Sequence, residues 1–435
     1  MPTPISLLSQ KNCCTVLSKR KTFSFRDLIV PSTPSVHTYF SIFMTVKIEY
    51  RYVVLITAVL AQFSQIGSRL IISPLVPDII STFEISKGSI GLVLTVMWAT
   101  YAVMQFPSGL LGDRFGQRSV IIAAIGLSAL GSFLLAMSPS FAIFGIFAVS
   151  LGAGTGLFYP VAASYLSKHF DNTGVALGAL TAGGAAAGLI IPAVAAWVSS
   201  IYGWRIALAL AGIIAVLVLF VIVVSLQSTT PIRPNQNFRK EINLSVITEF
   251  LSRSSIAFTT IIAILFGFVF QAFISFFPTF LIEFHSMTAN SAAISFGVIF
   301  LLSTASQPVM GNLSDSYSRD LLLVVSAILS SIGFSILLTS NHQITLIVAI
   351  VLLGIGISWP GIVQARYFDI IPKSKQGTEF GLARSIYIFL GALGSVVTGW
   401  TADIFGWGIA YGLVVLLLIL AICAIASNKI FKLQL

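Results

Sequence analysis

Long apolar runs recur along almost the whole of this sequence, near residues 52–74, 89–109, 119–137, 141–166, 174–198, 205–226, 255–281, 290–311, 321–339, 343–366, 378–402 and 407–427. Each is long enough to cross a bilayer core about 30 Å thick, which takes about 20 helical residues. In hydrocarbon every backbone N–H and C=O needs an internal partner, so only helices and closed barrels can span. The runs are continuous rather than alternating, which selects helices over barrel strands. Composition agrees, because 57% of the 435 residues are hydrophobic and only 9% are charged, outside the range of a water-soluble domain. The chain therefore reads as an all-α membrane protein with twelve transmembrane helices.

The formal charge of +10 does not indicate nucleic acid, because the basic residues form no cluster with interleaved aromatics. The cysteines are Cys13, Cys14 and Cys423, whose spacing implies neither a disulfide framework nor a metal site. P-loop and nucleophile-elbow signatures are absent. An enzyme would need a buried nucleophile, a metal cluster or a carboxylate pair, and the sequence offers none. The expectation is no catalytic residue, no metal and no cofactor.

Residues 1–45 are basic and proline-broken, and read as a disordered cytoplasmic extension or as sequence upstream of a start at Met44. Residues 46–226 form a first set of six helices, 227–253 a polar linker, and 254–435 a second set. With both termini in the cytoplasm, 20 of the 24 Lys and Arg fall in inner loops and tails, Lys87 and Arg205 fall outside, and Arg69 and Arg384 fall within apolar runs. Leaving out the first 51 residues, 13 still face 2, so the orientation does not depend on the extension.

The two sets look alike. Between the second and third runs stands Gly109-Leu-Leu-Gly112-Asp113-Arg114-Phe-Gly116-Gln-Arg118, and a degraded copy containing Gly311 and Asp315 follows 202 positions later. Gly203-Trp204 returns as Gly406-Trp407, Gln105 as Gln307, and Tyr159-Pro160 as Trp359-Pro360. Two six-helix bundles related by an axis along the membrane normal would hold a binding cavity between them near the midplane.

The twelve runs, the Gly109-x-x-x-Asp113-Arg114-x-Gly116-x-Arg118 loop and its second copy resemble the major facilitator superfamily over residues 46–430. The resemblance implies the major facilitator fold. It also implies that Gly109, Gly112, Asp113, Arg114, Gly116 and Arg118 form a cytoplasmic latch that holds the outward-facing state, with Asp315 marking a copy that lacks the following glycine and first arginine.

Arg69 is the most informative residue. A charge well inside a span costs about 2.5–3.5 kcal/mol on insertion scales, so it needs a wet cavity, a partner or a purpose. Gln62, Gln65, Arg69 and Ser73 share one helical face, and that face should meet the cavity. The bland alternative is that Arg69 snorkels to the outer surface. By the repeat, Gln271 stands where Arg69 does, and Ser275 where Ser73 does. Organic-anion branches of the superfamily carry an arginine at this place, and the resemblance here extends to one half.

Binding is expected from Gln62, Gln65, Arg69, Gln271, Ser275, Tyr159 and Trp359, with Gln105, Gln307 and Arg384 in supporting places. No Asp, Glu or His lies near the middle of any run, so a cationic solute would lack a counter-charge. The sequence reads as a secondary transporter that moves a small anionic organic solute by alternating access, with a coupling proton or counter-anion. It would lie in a prokaryotic plasma membrane with lipid as its other partner. The rivals are an efflux transporter for apolar drug-like compounds and a non-transporting membrane receptor.

Overall fold

The computed structural model describes residues 49–170, 173–231, 233–234, 244–373 and 376–431. The basic extension assigned to residues 1–45 lies outside them. Helices account for nearly everything described. The first pass is α1 (Tyr50–Leu70), a 3₁₀ turn (Ser73–Leu75) and α2 (Val76–Phe83). There follow α3 (Lys87–Phe115), α4 (Gln117–Ala136), α5 (Phe141–Ser167), α6 (Thr173–Tyr202) and α7 (Trp204–Ser225). A short helix, α8 (Leu244–Ser252), sits inside the stretch expected to be linker. The second set comprises α9 (Ser254–His285), α10 (Ala289–Ser316), α11 (Arg319–Thr339), α12 (Gln343–Gly356), α13 (Trp359–Ile370), α14 (Gln376–Gly391) and α15 (Leu393–Ile430).

Eleven continuous helical stretches are long and apolar enough to cross a membrane. The last, Glu379–Ile430, has 52 residues, about 78 Å if straight, far more than one crossing needs. It carries two passes, because Gly406 breaks the helix at φ 82° and ψ 170°. Gly203 makes the equivalent hairpin between α6 and α7 at φ 83° and ψ 159°. Backbone of this kind is essentially restricted to glycine. Twelve crossings result, as the apolar runs imply.

The repeat extends to side-chain contacts. Trp204 Nε1 donates to Thr82 Oγ1 at 2.9 Å, and Trp407 Nε1 to Glu283 Oε2 at 2.9 Å. Ser86 caps α3 and Thr288 caps α10, each accepting from the amide three residues on. Such oxygens satisfy amides that the first helical turn leaves free.

In the first set α1 packs on α6 and α7, α3 on α5, and α4 on α5 and α7; in the second α9 packs on α14 and α15, α10 on α12, and α11 on α12 and α15. Packing across the sets runs through α3 against α14 and α15, α6 against α10, and the 3₁₀ turn against α9 and α10. These contacts are backbone-close on the side where Lys87 lies. A Cβ on Gly91 would stand 2.6 Å from Ser395 O, one on Gly399 2.4 Å from Lys87 O, and one on Gly297 2.6 Å from Leu189 O. Glycine is what lets helices approach so far. Toward the opposite side, where Asp113 lies, Gly109, Gly178, Gly311 and Gly381 on α3, α6, α10 and α14 have nothing within 4 Å of an added Cβ. The two bundles thus meet backbone to backbone at the Lys87 face, and no such approach is made at these four glycines toward the Asp113 face.

Candidate functional site

Arg69 lies near the end of α1, but the first pass continues through the 3₁₀ turn to Phe83. Pro74 and Pro77 supply no amide hydrogens there, which is why the helix is interrupted rather than ended. About 14 residues, so about 21 Å, separate Arg69 from that end, too far for a side chain to snorkel. The residue is buried, at 8% exposure. It stacks 4.0 Å from the Tyr101 ring centroid and 4.6 Å from that of Trp98, and its Nε donates to Gln65 O at 3.3 Å. An aromatic face attracts a cation through its quadrupole, more strongly where water is excluded.

Arg384 reaches the same place from the other bundle. Its guanidinium lies 4.7 Å from the Tyr159 ring centroid, and Tyr101 interacts electrostatically with both Arg384 and Arg69. Arg384 Nε is buried without a hydrogen-bond partner. Tyr387, one turn along α14, packs edge-on to Trp359 at 6.2 Å, and Trp359 continues onto Phe266 at 5.4 Å. Two cations from opposite bundles thus flank one tyrosine, each resting on aromatic rings. Among the described residues neither has a carboxylate within 4.0 Å. Arg69 is buried and Arg384 half-buried, and cations so placed without ion-pair partners among the described residues mark a place where a solute anion would be stabilised.

The remaining expected residues divide. Gln62 is buried beside Gly184 of α6. Gln65 turns into the first bundle, where its Nε2 donates to Ser128 Oγ at 2.8 Å. Ser275 is engaged within the second bundle, sharing a 2.7 Å hydrogen bond with Ser395. Ser73 Oγ and the Nε2 atoms of Gln105 and Gln271 are buried without partners, and Gln307 is half-buried. The face shared by Gln62, Gln65, Arg69 and Ser73 therefore does not act as one surface. The helix breaks between Arg69 and Ser73, and Gln65 is satisfied inside its own bundle.

The Gly109–Arg118 loop packs against the chain that follows α7. Gly112 abuts Val161 of α5. Gly116 adopts φ 85° and lies against Thr229, where a Cβ would meet the carbonyl oxygen at 2.5 Å. Asp113 O accepts Arg233 N at 3.0 Å, and Arg118 donates to Val223 O at 2.8 Å. Arg114 lies over Phe115. Among the described residues Asp113 forms no ion pair. In the second copy Asp315 pairs with Arg319, which also donates to Asp369 Oδ2 at 3.0 Å. That copy is a network within its own bundle.

Tyr387 carried no sequence signal beyond being an aromatic one turn from Arg384. Arg366 read as an inner-loop cation but is buried, donating to Asp320 Oδ1 at 2.8 Å and Thr259 Oγ1 at 2.7 Å.

A profile of the Major Facilitator Superfamily matches residues 58–305 and 285–429. The chain belongs to this superfamily and is an integral membrane transport protein rather than an enzyme. It is similar to the probable nitrate transporter NarT of Staphylococcus epidermidis, with 27% identity over 74% of this chain and 81% of that one. It is also similar to the hexuronate transporter of Bacillus subtilis, with 21% identity over 75% of this chain and 82% of that one. Among solved structures, a bacterial homologue of the human lysosomal transporter Spinster, inward-facing and unoccupied, superposes with a TM-score of 0.75. At 17% identity over 88% of this chain and 98% of that one, that likeness concerns the fold alone.

Proposed function

We propose that the protein is a secondary transporter that carries a small anionic organic solute across a prokaryotic plasma membrane by alternating access. The observation that carries this reading is the pair Arg69 and Arg384, contributed by opposite bundles to one tyrosine and free of carboxylate partners among the described residues. An anion between them would touch both moving parts. The site we assign comprises Arg69, Trp98, Tyr101, Tyr159 and Arg384, with Gln62, Gln105, Gln271, Trp359 and Tyr387 around it. The relatives' names, a nitrate and a hexuronate transporter, support an anion in kind.

The distribution of Lys and Arg supports placing the Asp113 face in the cytoplasm, and on that reading the conformation is inward-facing. We read the Asp113 latch as a contact of the opposite state, since Asp113 forms no ion pair among the described residues here. The described acids lie at span ends, and a proton added between two guanidinium groups would raise the charge to be compensated. A counter-anion is therefore the coupling partner we favour.

The test is thermal stabilisation of the purified protein by nitrate, glucuronate, succinate, phosphate and lysine. A ligand at about 100 times its Kd adds about 2.7 kcal/mol to the folded state. An anion should stabilise and lysine should not, and both Arg69→Ala and Arg384→Ala should abolish the effect. Stabilisation that survives Arg69→Ala for every anion would overturn the assignment.

A further inference from the structure

The Lys87 face carries a charged contact between the bundles that none of the transport chemistry above uses. The first turn of α3 has free amides, and two are met by a carboxylate from the other bundle: Lys87 N donates to Asp403 Oδ1 at 3.0 Å and Gly88 N to Asp403 Oδ2 at 2.7 Å. A carboxylate gripping a helix N-terminus gains from both hydrogen bonds and the helix dipole. The Lys87 ammonium lies 3.1 Å from Glu283 Oε2 and 4.0 Å from Asp403 Oδ1. Glu283 is itself held by Trp407 Nε1 at 2.9 Å. Deeper along the same seam, Thr95 Oγ1 donates to Ala392 O at 2.9 Å and accepts from Val396 N at 3.1 Å. Side-chain oxygens on either side thus satisfy backbone groups across the bundle boundary.

We propose that Asp403 is the latch of the Lys87 face. It serves as a second cap of α3, on the Lys87 and Gly88 amides that Ser86 leaves free, only while the two bundles are closed there, and it sets the balance between the two access states. Lys87 and Glu283 align it. Opening this face returns the α3 amides and the Asp403 carboxylate to water. The contact therefore stabilises one state of the cycle and not the other. This inference rests on the alternating-access reading.

The experiment uses the full chain with Cys13, Cys14 and Cys423 replaced by Ser, reconstituted in lipid. Spin labels are placed at Met137→Cys and Thr339→Cys on the Lys87 face, and in a second doubly labelled protein at Lys168→Cys and Lys373→Cys on the Asp113 face. Electron–electron distance distributions report the populations. Asp403→Asn keeps the size of the side chain but loses the charged grip. It should move the ratio of states toward an open Lys87 face by about tenfold to a hundredfold, lengthening the first distance and shortening the second. Asp403→Glu should restore part of the shift. Asp78→Asn, which alters a carboxylate that accepts Ser199 Oγ at 2.6 Å within the first bundle, should leave the ratio alone. Wild-type populations that exchange while Asp403→Asn leaves them unchanged would overturn the latch only. Distances that never exchange, in any variant or with any anion, would overturn alternating access and the latch with it.

Discussion

Substituting Gly91 by alanine should wedge the Lys87 face open. The added Cβ would stand 2.6 Å from Ser395 O, 3.0 Å from Val396 Cα and 3.1 Å from Ser395 C, all backbone atoms of the opposite bundle. No side chain can swing aside, so α3 and α15 must separate by about 0.8 Å to restore an ordinary contact. Overpacking of this kind costs about 1–3 kcal/mol. The strain exists only while the face is closed, so the molecule escapes it by opening. The equilibrium should then shift by about 5- to 150-fold. Distance measurements between labels at Met137→Cys and Thr339→Cys read this directly. Gly109→Ala is the counterpart, since nothing lies within 4 Å of its Cβ here and any clash belongs to the state in which the Asp113 face closes. It should raise, and never lower, the fraction closed at the Lys87 face. An unchanged distribution in Gly91→Ala, or the same shift in both variants, would refute the reasoning.

Other outcomes follow from the packing. Gly203→Ala and Gly406→Ala force alanine into nearly identical backbone geometry at φ 83° and 82°. Each should cost about 1–3 kcal/mol and lower the melting temperature by similar amounts, whereas a large inequality would contradict the equivalence of the two hairpins. Ser128→Ala removes the partner of the buried Gln65 amide and should destabilise by about 1–3 kcal/mol in thermal unfolding, with anion affinity unchanged. Asp320→Asn takes the charge from the pair with Arg366, whose side chain is 8% exposed. It should cost about 3 kcal/mol in the same assay, and a loss below about 1 kcal/mol would mean that the other contacts of Arg366 satisfy the guanidinium.

Much of the architecture was legible because membrane physics leaves few choices. A 20-residue apolar run has to be a helix, and a fixed offset near 202 announces a second copy. The pass boundaries were less legible. Phe83 belongs to the first pass although polar residues precede it, and Pro74 interrupts that pass without ending it. The difference decides the reading of Arg69, which moves from within reach of the surface to the interior. Arg384 stands only about six residues into the eleventh run, a depth from which a long side chain can snorkel back to the surface. Its direction across the bundle boundary toward Tyr159 depends on tertiary packing that no local pattern encodes. Gln65 and Ser275 have the right periodicity for a cavity face, yet each finds a hydroxyl within its own bundle. Periodicity fixes a direction from the helix axis and not which neighbour fills it. The Lys87 contact was recoverable in part. Lys87 was one of two cations left on its side, with Glu283 and Asp403 among the acids there, but the pairing needed coordinates.

Hairpins that turn on one residue also bear on how the chain is made. At Gly203 and Gly406 no hydrophilic loop exists to be delivered separately to the far side, so neither flanking helix can settle in lipid before its mate. The fifth and sixth crossings, and the eleventh and twelfth, are therefore expected to enter the bilayer as hairpin pairs. For these four helices, a glycine's backbone angles make each mate run opposite to the other, and the charges flanking the pair set which way the pair faces.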